Sequence, residues 1–138
     1  MFDRVLTVDW SGRSKPSPIA PCADAIFTCY GDQSKLSHPI YHRTRQSAMD
    51  YIHTVVETAK DHKGMTLIGF DFSFGYPCGF AEHLTGSRDV RSLWRFLADR
   101  IQDDAQNANN RFLVAADVNG MFPGVGPFWG APANVQYA

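Results

Sequence analysis

The chain has 138 residues, 44% of them hydrophobic, which is enough for one sizeable core and too little for two. A formal charge of −1 gives no global attraction to nucleic acid or to an anionic membrane, so a phosphate-bearing ligand would have to be held by a local basic cluster or a metal. No apolar run approaches the roughly 20 residues of a membrane span, no leader pattern precedes Asp3, and the 3 cysteines show no C-x-x-C spacing; the expected setting is cytoplasmic and reducing, with free thiols.

Residues 4–9 (Arg-Val-Leu-Thr-Val-Asp) form a short apolar run with β-branched members, read as a central strand. A Ser/Pro/Lys-rich loop over 12–21 leads to a second strand over 25–30, and Gly31-Asp32-Gln33-Ser34 is turn chemistry. Residues 39–43 read as a weaker edge strand, because Pro39 cannot donate to a ladder. Residues 47–60 are an amphipathic helix: Ala48, Met49, Ile52, Val55, Val56 and Ala59 recur at three- and four-residue spacing, and Gly64 is placed to stop it. Residues 65–71 carry almost nothing polar before their Asp, as in a strand buried on both faces. A second helix is expected over about 90–102, on the stripe Val90, Leu93, Trp94, Leu97 and Ile101. Residues 111–118 are ambiguous between strand and helix. From 120 to 138 the chain is a Gly/Pro loop carrying Phe122, Phe128 and Trp129.

Two of the strand ends echo each other. Val8-Asp9-Trp10-Ser11-Gly12 closes the first run, and Phe70-Asp71-Phe72-Ser73-Phe74-Gly75 closes the later one. A carboxylate at a strand end is seldom needed for packing, because it must stay solvated or be paired. The helix between these strands implies a crossover that places them parallel in one sheet. As neighbours, they would bring out Asp9 and Asp71 at one edge, about 5 Å apart. That edge, at the carboxyl ends of the strands, is where such sheets bind ligands.

Two carboxylates that close repel unless a proton or cation lies between them. Mg²⁺ or Mn²⁺ suits the position, since such ions take hard oxygen ligands, often one or two carboxylates plus substrate phosphate oxygens. Ser11, Gly12, Ser73 and Gly75 are the candidate donors of hydroxyl and backbone N–H groups to a phosphate, with Arg13 following directly. The alternative stays open at this point: Asp-x-Ser-Gly after a strand is also ordinary turn chemistry.

The N-terminal strand ending in Asp9, followed by the strand end Ile-Gly-Phe-Asp-Phe-Ser-Phe-Gly-Tyr-Pro over residues 68–77, resembles the uncharacterised predicted nucleases of the RNase H-like superfamily. The likeness spans roughly residues 4–80. It implies an RNase H-like α/β fold with a mixed sheet: three antiparallel strands, a helix, then a parallel strand beside the first, and a further helix. It also implies metal-dependent cleavage of a nucleic-acid phosphodiester, with Asp9 and Asp71 as the catalytic, metal-binding pair. On this reading an α/β domain covers 4–118, while 119–138 is a loop or tail leading into a missing C-terminal part, the chain being an N-terminal fragment or a minimal version.

The resemblance calls for further carboxylates, one of them from the first helix. Asp50 and Glu57 lie roughly 160° and 140° from the centre of the apolar stripe at 100° per residue, so both point to solvent. Asp117, Glu82 and Asp89 are weaker substitutes. The five histidines default to the surface, and Cys78 lacks a His partner. Trp10, Phe72, Phe74 and Tyr76 are candidates to stack on bases, although alternation sends at least half of them to the core. Two other classes remain: a nucleotide-phosphate-binding or phosphotransfer module of the actin and sugar-kinase type, and a non-catalytic accessory protein, for example in cofactor metabolism, docking through its tail. The expected partner is nucleic acid or a nucleotide, and no membrane.

Overall fold

Alternation along Arg4–Asp9 sets the first strand, β1. Leu6 and Val8 are buried, while Val5, Thr7 and Asp9 are exposed on the other face. The computed structural model of the protein describes residues 2–128. In it β1 pairs antiparallel with β2 (Ile26–Asp32), which pairs antiparallel with β3 (Ile40–His42). After α1 (Arg45–Lys60), β4 (Thr66–Phe70) returns parallel to β1, giving a mixed sheet in the order β3-β2-β1-β4. The chain is thus mixed α/β, and the single parallel pair among the described residues is the one whose strands lead into the two echo motifs.

The start of α1 lies two residues before the expected Ser47. Thr44 is the cap: its hydroxyl oxygen accepts the Ser47 N–H at 3.1 Å, leaving Arg45 as the first helical residue. Ala48 and Ile52 of α1 close over Leu6, Val8 and Ile26 to form the apolar centre of the sheet's covered face. Burying a Leu, Ile or Val side chain contributes about 1.5–3 kcal/mol, so Leu6, Val8, Ile26 and Ile52 each add substantially to the stability of this part of the chain.

Arg45 is itself buried, held through its main chain and guanidinium by a segment far away in sequence. Its backbone N–H donates to the Asn107 side-chain oxygen at 2.8 Å. Its guanidinium donates to the carbonyl of Asn107 at 2.6 Å and to that of Arg13 at 2.8 Å. Asn107 achieves this with a left-handed backbone (φ 69°), a conformation Asn tolerates better than most residues.

The chain divides into two compact units. One comprises the residues up to Ser73 together with Asp104–Ala108; the other comprises Phe74–Asp103 and the residues from Asn109 onward. Each has its own apolar cluster, where the length alone suggests one core. The second unit contains α2 (Phe80–Thr85), α3 (Val90–Ala98) and α4 (Arg111–Asn119). Its cluster joins Phe80, Leu93, Leu97, Val114 and Val118. α3 stops at Ala98, short of the expected 102: the Arg100 N–H bonds only three residues back, to the Leu97 carbonyl at 3.1 Å, and the Asn110 side chain takes the Gln102 N–H at 2.8 Å and the Arg100 carbonyl at 2.9 Å in place of helical partners. The ambiguous stretch 111–118 is helical, since Val114 and Val118, four residues apart, both reach the cluster.

Of the expected tail, Phe122 and Phe128 are half-buried against that cluster, with Phe122 stacked on Phe80 at 5.3 Å. The Asn119 side chain ties down Phe128 through two 2.8 Å bonds, one to its N–H and one to its carbonyl. Trp129 and residues 130–138 lie outside the described residues.

Candidate metal centre

The parallel register aligns Val8 with Phe70, so the next residues, Asp9 and Asp71, leave the sheet side by side. The ladder runs one step past β4, where the Asp71 N–H donates to the Val8 carbonyl at 3.2 Å. The Asp71 carboxylate in turn accepts the Trp10 N–H at 2.8 Å, which fixes its rotamer and keeps it beside β1. Trp10 is anchored edge-on to Phe70 and Phe72, with ring centres 6.0 and 6.1 Å away. Both carboxylates are exposed to solvent, and the two side chains are within hydrogen-bonding reach of each other.

That closeness is visible in the acidity of Asp9. Desolvation, the hydrogen bond with the Asp71 side chain, and the Asp71 charge, in that order, raise its carboxyl above the ordinary value of 3.8. Asp9 in the folded chain therefore holds its proton more tightly than a free carboxyl does. The two carboxylates are hard oxygen donors that could hold a divalent cation between them.

Since Val8 and Phe70 face α1, the two aspartates project from the opposite face, and that face is open. A cleft of about 460 Å³ lies along it, lined by Thr7, Phe27, Cys29, Pro39 and Gly69 as well as by the two aspartates. Phe27 is the register partner of Asp9 and packs on Tyr41 at 5.4 Å, so an aromatic surface adjoins the carboxylates. Gly69, two residues before Asp71, leaves open space where a side chain would otherwise stand. These residues carry no motif. The signal for them is period-two alternation counted back from each Asp and across to the neighbouring strand, and it becomes readable only once the strand register is known.

The other expected site residues are placed as follows. The Ser11 hydroxyl donates to the Asp24 carbonyl at 2.7 Å, and its oxygen accepts the Arg13 N–H at 3.3 Å. The Arg13 guanidinium lies 3.7 Å from the Asp24 carboxylate, so these two residues brace their own loop. Gly12 and Ser73 are exposed. Gly75 belongs to the second unit. Asp50 and Glu57 are exposed on α1 and engaged there, Asp50 with the Gln46 amide at 2.8 Å and Glu57 with the Lys60 ammonium at 2.7 Å. Among the described residues no group of three or more His, Cys, Asp and Glu side chains is placed to share an ion.

The remaining candidates fall elsewhere. His42 departs from its expected surface position: it is buried, with its Nε2 2.8 Å from the Thr28 hydroxyl, and burial lowers its pKa. Cys78 is exposed. Tyr76 stacks on Phe80 at 4.8 Å within the second unit. Among the described residues no helix is long and apolar enough to cross a membrane. Neither a family model, nor a curated protein, nor a solved structure matches this chain.

Proposed function

We propose that this protein is a divalent-metal-dependent phosphodiesterase of the RNase H-like type, acting on nucleic acid through Asp9 and Asp71. One observation carries the reading: two strand-end carboxylates, presented alike by the only parallel strand pair among the described residues, lie within hydrogen-bonding reach on an open face. The strand order β3-β2-β1-β4, with two antiparallel pairings and one parallel, supports the RNase H-like assignment.

The donors fit Mg²⁺ or Mn²⁺. Both are hard carboxylate oxygens, and their exposure leaves most of an octahedral shell to water and substrate phosphate. Among the described residues no histidine or cysteine joins them in a three-ligand group of the kind that favours zinc or copper. Such a cation, when bound, neutralises charge building on the phosphoryl oxygens and acidifies the attacking water. Asp71 contributes a carboxylate whose position is set by the Trp10 N–H, and Asp9 contributes the second. The cleft beside them, floored by Gly69 and edged by Phe27, is where the adjoining sugar and base would lie.

The lack of a third carboxylate among the described residues favours one second reading, in which the pair binds a metal-bound nucleotide phosphate without cleaving it. Labelled single- and double-stranded DNA and RNA, incubated with the full chain and Mg²⁺ or Mn²⁺, separate the two. The nuclease reading expects metal-dependent cleavage that falls by about 100-fold or more in Asp71→Asn, the scale of losing an electrostatic group at a reacting centre. Cleavage that survives both Asp9→Asn and Asp71→Asn would sink it. No cleavage of any substrate, with thermal stabilisation by a Mg²⁺-nucleotide, would establish the second reading instead.

A further inference from the structure

Strand register lays a row of side chains across the open face of the sheet. Asp71 stands beside Asp9, Asp9 beside its partner Phe27, and Phe27 beside its partner Tyr41, each about 5 Å from the next in strand spacing. Phe27 is half-buried, and its ring packs on Tyr41 at 5.4 Å. Tyr41 is held in turn by its hydroxyl, which donates to the Pro18 carbonyl at 2.7 Å. The Phe27 ring is thus braced from the side away from the carboxylates. The next row on the same face is Gly69, Thr7 and Cys29, all small, and it forms the floor of the cleft of about 460 Å³.

The walls limit what can be recognised there. The Thr7 hydroxyl donates to the Cys29 carbonyl at 3.3 Å, and the Cys29 thiol donates to the Ser37 carbonyl at 3.3 Å, so both spend their hydrogen inside the sheet. Phe27, Pro39 and Gly69 have no polar side chain. With no side-chain donor left over, hydrogen bonding has little means of sorting one base from another, whereas an aromatic ring stacks on any of them. Among the described residues lining the cleft none is Lys or Arg, so no cationic side chain there holds a second phosphate. The cleft volume falls within the roughly 300–1,000 Å³ of pockets that take one small molecule.

We propose that the cleft takes a single nucleotide of any base, its phosphate at the Asp9–Asp71 pair, its sugar over Gly69 and Thr7, and its base stacked on Phe27. This assignment rests on the reading that the two carboxylates hold a divalent cation.

The probes are AMP, CMP, GMP and UMP, which carry no phosphodiester to cleave, with ribose 5-phosphate and inorganic phosphate as controls. Each is titrated into the ¹⁵N-labelled full chain in the presence of Mg²⁺ and followed by amide shifts. All four nucleotides should shift Asp9, Phe27, Cys29 and Gly69 saturably. Their Kd values should agree within about tenfold and lie roughly tenfold or more below that of ribose 5-phosphate, the scale of one base stacked on a ring. Phe27→Leu keeps an apolar group against Tyr41, and it should weaken the nucleotides to the level of ribose 5-phosphate without affecting that control. Gly69→Val adds a side chain where a Cβ meets nothing within 4 Å. It should weaken the nucleotides and ribose 5-phosphate together and spare inorganic phosphate.

Three results would overturn the base site while Mg²⁺-dependent phosphate shifts at Asp9 and Asp71 still uphold the cation. They are ribose 5-phosphate binding as tightly as the nucleotides, one base preferred by more than about tenfold, or Phe27→Leu binding nucleotides like wild type. Absence of any Mg²⁺-dependent shift, with phosphate or nucleotide, would overturn both.

Discussion

Replacing Asp9 with Asn tests the carboxylate pair without touching the bond that holds Asp71, since Trp10 N–H still reaches Asp71. Two full charges about 4 Å apart interact by about 1 kcal/mol in water, and both groups here are exposed, so the aqueous figure applies and the low-dielectric one does not. Salt reduces it further. In EDTA at pH 7 and low salt, Asp9→Asn should therefore be more stable than wild type by roughly 0.5–1 kcal/mol, a rise of a few degrees in Tm for a chain of this size. The pH dependence has a definite sign. Asp9 binds its proton more tightly folded than unfolded, so the wild type is favoured below the ordinary value of 3.8 and loses stability as pH rises through the higher folded value. Asp9→Asn should lack that loss. Adding Mg²⁺ should reverse the ranking, because a ligand at 100 times its Kd stabilises the wild type by about 2.7 kcal/mol. Urea unfolding across pH 4–8, with EDTA or Mg²⁺, measures all of this. An Asp9→Asn chain no more stable than wild type in EDTA, with the same pH slope, refutes the coupling of the two groups.

Three further outcomes are expected. Asn107→Ala should be about 1 kcal/mol less stable than Asn107→Gly by urea unfolding: both lose the bond to the Arg45 N–H, but only Ala is strained at φ 69°. Equal stabilities would remove the strain argument. His42 has its pKa lowered from 6.5 by burial, so the unfolded chain binds the proton first and stability should fall as pH drops below about 6.5 toward the lowered folded value. Melts from pH 7 to 5 should show this slope in wild type and lose it in His42→Gln; a slope unchanged by the substitution assigns it to another group. Asp50→Asn with Glu57→Gln should leave Mg²⁺-dependent stabilisation intact, since both acids are engaged on the surface of α1. Loss of that stabilisation would show that a helix acid belongs to the site.

The sheet and the pair were legible in the chain because both rest on local signals. Period-two alternation through Leu6 and Val8, the apolar stripe of α1 and the run before Asp71 each declare their element, and the intervening helix makes the outer strands neighbours. Features that depend on distant register were not legible. Phe27 and Gly69 meet the aspartates only through pairings across the sheet, and neither residue type announces a site. Asn107 reads as one polar residue in a polar stretch, and its bonds to Arg45 span 62 positions. α2 has six residues between two left-handed glycines, Gly79 and Gly86, which is too short for a periodic stripe to emerge. His42 looked superficial because its strand is short and follows Pro39; it is buried by α1 residues, and the strand's own pattern gives no sign of this.

Calorimetric titration of Mn²⁺ into the full chain, alongside Asp9→Asn and Asp71→Asn, tests the central claim most directly. A saturable site in the wild type, with proton release that grows as pH falls toward the raised Asp9 value, and its loss in both variants, is the result expected from the paired carboxylates. Mn²⁺ binding of equal strength in all three chains would contradict it.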